Sequence, residues 1–291
     1  MNKRLLKNLI VVLVLSCLFA CSSTRLAYNY LDWMITWYLN DYIELNSEQD
    51  DYYDRQLDKL LQWHRSDQLP RYVRFVDEMM LHINKPVHTD MLLERKNTMR
   101  EFMRVFMARA APDCIKLLLW LDPEQREAFY AAGAEKQHQF EEKYQDEPEI
   151  NRSKRLYKQM KKILKRFIGR LTDEQEHIVK RWADSLIGVQ HLWLENRRIW
   201  LSTLQTVLEG SNTDTEKKRH LYQLLVEPES LWSTAYRRSV RQNEIQTLDM
   251  FAAIHNSMIE KQRKHLHDSL SRFKKDFERL AKDKIKEDET D

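Results

Sequence analysis

The chain has 291 residues, 48 Lys and Arg against 45 Asp and Glu, and a mean hydropathy of -0.69. Lys3, Arg4 and Lys7 account for the whole cationic excess, so from residue 21 onward 45 cations face 45 carboxylates. That balance excludes a strongly basic nucleic-acid binder, and four glycines leave little room for a phosphate-cradling loop.

The first element is a leader. Lys3, Arg4 and Lys7 precede an apolar run from Leu9 to Leu15, continued less purely to Ala20. About a dozen apolar residues are too few to span a bilayer, which takes about 20. Leu18-Phe19-Ala20-Cys21 then places a small residue before a cysteine. A lipoprotein-processing enzyme needs that arrangement, because the thiol itself receives the diacylglycerol. The stretch resembles the bacterial lipobox, with Phe19 bulkier than usual. Residues 1–20 are therefore expected to be a lipoprotein signal peptide and Cys21 the lipidation site. The alternatives are an ordinary secretory signal or an uncleaved anchor. By resemblance to Gram-negative lipoproteins, Ser22 rather than Asp after the cysteine implies the periplasmic face of the outer membrane. The expected partners are then the membrane, through Cys21, and an envelope protein of unknown identity. Nucleic acid is not expected.

From residue 21 on, apolar residues recur at helical spacing and no alternating strand pattern stands out, so the fold expected is all-α, an elongated multi-helix bundle. Prolines and capping residues place helices at 25–43, 47–66, 70–84, 89–119 (interrupted near Pro112), 123–145, 149–170, 173–209, 214–226 and 229–283. The body, 21–283, reads as one unit or as two subdomains meeting near 146–149. Residues 284–291 read as a charged, disordered tail. Trp182, Leu186, Val189, Trp193, Trp200, Leu204 and Val207 read as one buried stripe. Cys114, the sole cysteine past Cys21, reads as a small core residue, so no internal disulfide is expected.

One pattern recurs three times: Leu45-Asn46-Ser47-Glu48-Gln49, Leu121-Asp122-Pro123-Glu124-Gln125 and Leu171-Thr172-Asp173-Glu174-Gln175. Each fits a helix start in which Asn46, Asp122 or Thr172 caps and the glutamine three positions on returns the bond. The unequal intervals argue against a repeat array.

Two clusters stand out. The segment 26–43 carries Leu26, Tyr30, Leu31, Trp33, Met34, Trp37, Tyr38 and Tyr42, which implies burial or an interface. Docking into the bundle is expected; the alternative is that this helix, just past the lipid, rests on the membrane, where Asp32 and Asp41 suit an anionic surface poorly. In helix 149–170, Arg152, Lys154, Arg155, Lys158, Lys161, Lys162, Lys165 and Arg166 occur with no acid between Ile150 and Thr172. These eight form a candidate surface for anionic lipid or an acidic partner. The bland reading is internal neutralisation by Asp41, Glu44, Glu48, Asp50, Asp51, Asp54 and Asp58, or by Glu141, Glu142, Asp146 and Glu147.

Catalytic chemistry is not legible. Glu135-x-x-His138 and Glu174-x-x-His177 match the spacing of di-iron bundles, but two such pairs are unremarkable in a Glu-rich chain. His265 and His267 point to different helix faces. There is no Gly-rich phosphate loop and no nucleophile elbow. The chain is expected to be no enzyme, with no catalytic residue, metal or cofactor.

Tyr28-Asn29-Tyr30-Leu31-Asp32-Trp33, Trp37-Tyr38-Leu39-Asn40-Asp41-Tyr42, Leu45 to Gln49, Trp63-His64-Arg65 and Leu69-Pro70-Arg71-Tyr72 together resemble a family of uncharacterised proteobacterial lipoproteins over residues 21–72. That resemblance implies an exported helical protein and no particular activity. A weaker likeness, through Leu171-Thr172-x-x-Gln175, is to small periplasmic stress chaperones. Three functions follow as expectations: a non-enzymatic structural or interaction protein of the envelope, a chaperone-like binder of unfolded proteins with an apolar groove rimmed by the basic helix, and a metal-dependent enzyme.

Overall fold

The computed structural model describes residues 23–144 and 147–283. The expected signal peptide, Cys21 and the expected charged tail lie outside the described residues.

The chain is an all-α bundle, and among the described residues there is no strand. A short α1 (Ser23–Asn29) and α2 (Leu31–Leu39) lead into α3 (Ser47–Trp63). A π-turn, His64–Gln68, joins α3 without a break to α4 (Leu69–Met80). Next come α5 (Thr89–Trp120), α6 (Pro123–Tyr144), α7 (Glu149–Ile168), α8 (Asp173–Ser185), α9 (Gln190–Glu209) and α10 (Asp214–Val226). A 3-10 turn at Pro228–Leu231 precedes α11 (Thr234–Asn256) and α12 (Glu260–Lys282).

Several boundaries differ from the sequence reading. The helix α5 runs straight through Pro112, which is exposed and forfeits only its own bond to Ala108. The helix expected over 173–209 stops at Ser185 and restarts at Gln190, and the stretch 229–283, open to one long helix or to two joined without a strong breaker, is two helices that part at Ser257-Met258-Ile259. The proposed seam from Trp182 to Val207 is therefore not one stripe. Trp182 and Leu186 join a cluster with Met160, Leu164, Val179, Met250 and Ile254 from α7, α8 and α11. Leu204 and Val207 belong to another, with Ala111 and Ile115 of α5 and Leu221 and Leu224 of α10. A third cluster joins Val76 and Ile83 to Leu270, where α4 packs on α12. The packing of α4 on α12 and of α5 on α10 and α11 ties segments on both sides of residue 146.

The recurrent helix starts turn out to be the joints of the bundle, and they work in pairs. In all three, the glutamine Oε1 accepts the cap residue's N–H, at 3.0 Å for Asn46, 3.1 Å for Asp122 and 3.0 Å for Thr172. Gln49 and Gln125 then exchange side-chain amide hydrogen bonds at 2.9 and 2.7 Å. Each donates its second N–H to the carbonyl two residues before its partner's cap: Gln49 to Trp120 at 3.2 Å and Gln125 to Glu44 at 2.9 Å.

Gln175 is paired likewise with Gln262, whose helix start, Met258-Ile259-Glu260-Lys261-Gln262, is a fourth instance. Its second N–H goes to Ser257 at 3.2 Å, and that of Gln262 to Arg170 at 2.8 Å. The arrangement explains the residue type. A buried side chain here must donate twice and accept twice, which a neutral amide does and a carboxylate does not. The exposed start at Thr213 has no such partner and carries Glu216 in the same place.

Candidate functional site

Local packing divides the basic helix α7 into an inward and an outward side. Arg152 is buried, 5% exposed, and donates to the Leu186 carbonyl at 2.6 Å. This corrects its place in the expected interaction surface: its guanidinium caps the end of α8 and is out of reach of a partner. Arg155 holds Glu147 through two hydrogen bonds of 2.9 and 2.6 Å, which keeps that carboxyl below the usual range. Lys161 meets Glu176 of α8 at 2.6 Å, and the Tyr157 hydroxyl donates to the same carboxylate at 2.9 Å. Arg166 lies over the rings of Phe167 and Phe273 at 5.9 and 5.7 Å. Lys154, Lys158, Lys162 and Lys165 remain on the exposed side, spaced three and four residues apart, so they form a ridge along the helix. Glu147, Glu176 and Glu149, the last 3.3 Å from Arg152, contribute internal neutralisation, and Asp41, one of the acids offered for that role, meets Lys136 at 2.8 Å.

A second cluster, whose role the sequence did not reveal, is centred on His64. In the π-turn each hydrogen bond spans one residue more than in an α-helix, and Gln68 at its end is fully buried. His64 sits between two tyrosines, with Tyr28 Oη 2.6 Å from Nδ1 and Tyr72 Oη 3.1 Å from Nε2. A neutral imidazole offers one donor and one acceptor, so one tyrosine donates and the other accepts. Burial, with the Arg65 charge adding to it, lowers the His64 pKa from 6.5 to about 4. Burial likewise pushes the Tyr28 phenol up to about 12. Arg65 also lies 5.0 Å over the Tyr28 ring and donates to Asn29 at 3.3 Å, and Arg25 reaches Asp283 at 3.7 Å. These contacts clasp α1 to the body through its inward side.

The outward side of α1 and α2 is apolar. The segment docks onto the bundle, α1 on α12 and α2 on α3, but shallowly, since no residue of Leu31–Leu39 is buried. Thr36 contacts Tyr53 at 3.2 Å, but Leu26, Tyr30, Trp33 and Tyr38 are each about half exposed. An open groove at the joint of the two helices is lined by Leu26, Ala27, Asn29, Tyr30, Asp32, Trp33 and Met34. It lies apart from α7, where the exposed large apolar residues are Ile150 and Ile163.

Glu135 accepts a hydrogen bond from Gln139 at 2.6 Å, and His138 Nδ1 lies 3.8 Å from Glu142. Among the described residues, no three His, Cys, Asp or Glu side chains converge on a metal-sized site, and no helix is long and apolar enough to cross a membrane. Cys114 is exposed, which corrects its expected core placement. Neighbouring side chains still crowd the thiol, and desolvation with Asp113 nearby raises its pKa.

Residues 41–237 match a family described as of unknown function, DUF6279. The chain belongs to the DUF6279 family. The DUF6279 span holds the Gln49–Gln125 pair, His64 and its π-turn, and all of α7. Tyr28, the apolar face of α1 and α2, and Gln262 fall outside it. The resemblance seen over residues 21–72 overlaps it from residue 41. No curated protein and no solved structure matches the chain.

Proposed function

We propose that this DUF6279 protein is a lipoprotein of the outer membrane's periplasmic face, held through acylated Cys21. Its helical body takes a non-enzymatic structural or protein-interaction role in the envelope. Leu18-Phe19-Ala20-Cys21, placed directly after a cationic start and an apolar run, carries this reading. The position of the first helix supports it: α1 begins at Ser23, so no long spacer separates the body from the anchor. The exposed lysine ridge of α7 supplies a surface for an acidic envelope partner.

Replacing Cys21 tests the reading. Wild-type protein is expected in the outer-membrane fraction, extractable only with detergent, whereas Cys21→Ser is expected to lose acyl labelling and leave that fraction. A Cys21→Ser protein that fractionates and labels like wild type would overturn it.

A further inference from the structure

We infer that the outward face of α1 and α2, carrying Leu26, Tyr30 and Trp33, lies in the interfacial layer of a zwitterionic lipid surface. This inference rests on the lipid-anchor reading of Cys21.

Chain length argues first. One residue, Ser22, lies between Cys21 and Ser23 at the start of α1, two chain steps with a reach of at most about 7 Å, and three further helical steps add about 5 Å to Leu26. An acylated Cys21 therefore keeps Leu26 within about 12 Å of the lipid-bearing residue, close to the polar layer of the bilayer leaflet. Any occupant of this face must share that space with lipid.

Orientation argues second. Arg25, Tyr28 and Thr36 point to the body and are bound there, to Asp283, His64 and Tyr53. Leu26, Tyr30 and Trp33, at successive steps of four and three residues, are 48%, 57% and 49% exposed. The clasp thus holds an apolar, aromatic face away from the protein. Indole and phenol rings favour the depth where one side is apolar and the other wet. A contiguous exposed apolar face on an otherwise charged protein calls for a covering surface.

Charge selects the lipid. Asp32 borders the groove, and Asp50, Asp51, Asp54 and Asp58 lie on α3, the helix that Thr36 of α2 contacts through Tyr53. An anionic headgroup would be repelled here, whereas a headgroup bearing both charges, such as phosphatidylethanolamine, would not.

The test uses the native protein purified from membranes and reconstituted into two sets of vesicles with the same fraction of brominated phosphatidylcholine, the remainder phosphatidylethanolamine in the first and phosphatidylglycerol in the second. The mass of the Cys21 peptide is measured on the same sample. Bromine quenches indoles in contact with lipid, and Trp33 and Trp37 are two of eight tryptophans. The expected result is a loss of about an eighth to a quarter of the emission in the first vesicles and less in the second. Trp33→Phe should remove at least half of the quenching, with the acyl mass unchanged. Equal quenching in wild type and Trp33→Phe, no quenching of acylated wild type, or a crosslinked second copy covering Trp33 would each overturn the inference alone. An unmodified Cys21 would instead overturn the anchor reading, and this inference with it.

Discussion

Gln175 and Gln262 grip each other through reciprocal amide hydrogen bonds of 2.9 and 2.8 Å, with neither side chain more than 2% exposed. One pair of side chains thereby ends two loops, starts two helices and fixes α8 against α12. Because each amide satisfies its partner's spare donor and acceptor, removing one strands the other in the core.

Gln175→Leu should therefore cost about 2–4 kcal/mol, since it leaves the Thr172 N–H, the Ser257 carbonyl and half of the Gln262 amide unpaired. Gln175→Glu should also destabilise at neutral pH and recover part of the loss in acid, where a protonated carboxyl can donate. Glu216→Ala, at the exposed unpaired start, should cost only about 0.5–1 kcal/mol. Urea unfolding of the three variants checks the ranking, and equal costs at positions 175 and 216 would contradict it.

The basic helix should respond unequally along its length. Arg152→Ala leaves the Leu186 carbonyl without its donor and a gap at the end of α8, and should cost about 2–3 kcal/mol. Lys158→Ala, on the exposed ridge, should stay within about 0.5 kcal/mol of wild type. Thermal melts at neutral pH distinguish the two; matching shifts would mean that Arg152 is not structural.

His64 sets a pH dependence whose sign follows from burial. Its pKa is about 4 in the folded chain against 6.5 in a solvated one. Between those values the unfolded chain binds the proton and the folded chain resists it. The stability due to a neutral His64 is complete above about 6.5 and is lost progressively as pH falls toward about 4. Allowing for solvent at the partly open ring, the loss between pH 7.5 and 4.5 should be about 1–2 kcal/mol. His64→Gln should be the less stable protein at pH 7.5 yet lose less on acidification. His255, also lowered by burial, is common to both proteins and cancels in the comparison. Parallel curves for the two proteins would show that His64 does not carry the effect.

Cys114 is exposed on α5, so a maleimide should label it in the native protein without denaturant. Its raised pKa keeps the thiolate fraction low, and labelling should quicken with pH across the neutral range. Labelling that requires urea would return Cys114 to the core.

Much of the helix grammar is legible in the sequence because caps are local. Asn46, Asp122 and Thr172 are good acceptors followed at fixed distance by glutamine, and each starts a helix. The fourth start carries no such signal, because Ile259 has no side-chain acceptor and only the returning bond from its N–H to Gln262 exists. The pairing of the glutamines was illegible for another reason: partners 76 and 87 residues apart meet only in the tertiary fold. Breaks at 186–189 and 257–259 carry only Gly188 and Ser257 as signals, too weak to cut a continuous apolar rhythm. Similarly, the aromatics of 26–38 have the same spacing whether a helix is swallowed by a core or lies on its surface. Only the positions of Tyr28 and Trp33 relative to the body separate the two. For α7, the sequence showed the charge but not the direction of each side chain, and so grouped buried Arg152 with exposed Lys158.

The central claim, attachment through Cys21, is tested most directly by mass spectrometry of the amino-terminal peptide of protein purified from its native membrane. The expected peptide begins at residue 21, with a thioether-linked diacylglycerol on the sulfur. A peptide that begins at Met1, or one in which the Cys21 thiol is free, would contradict it.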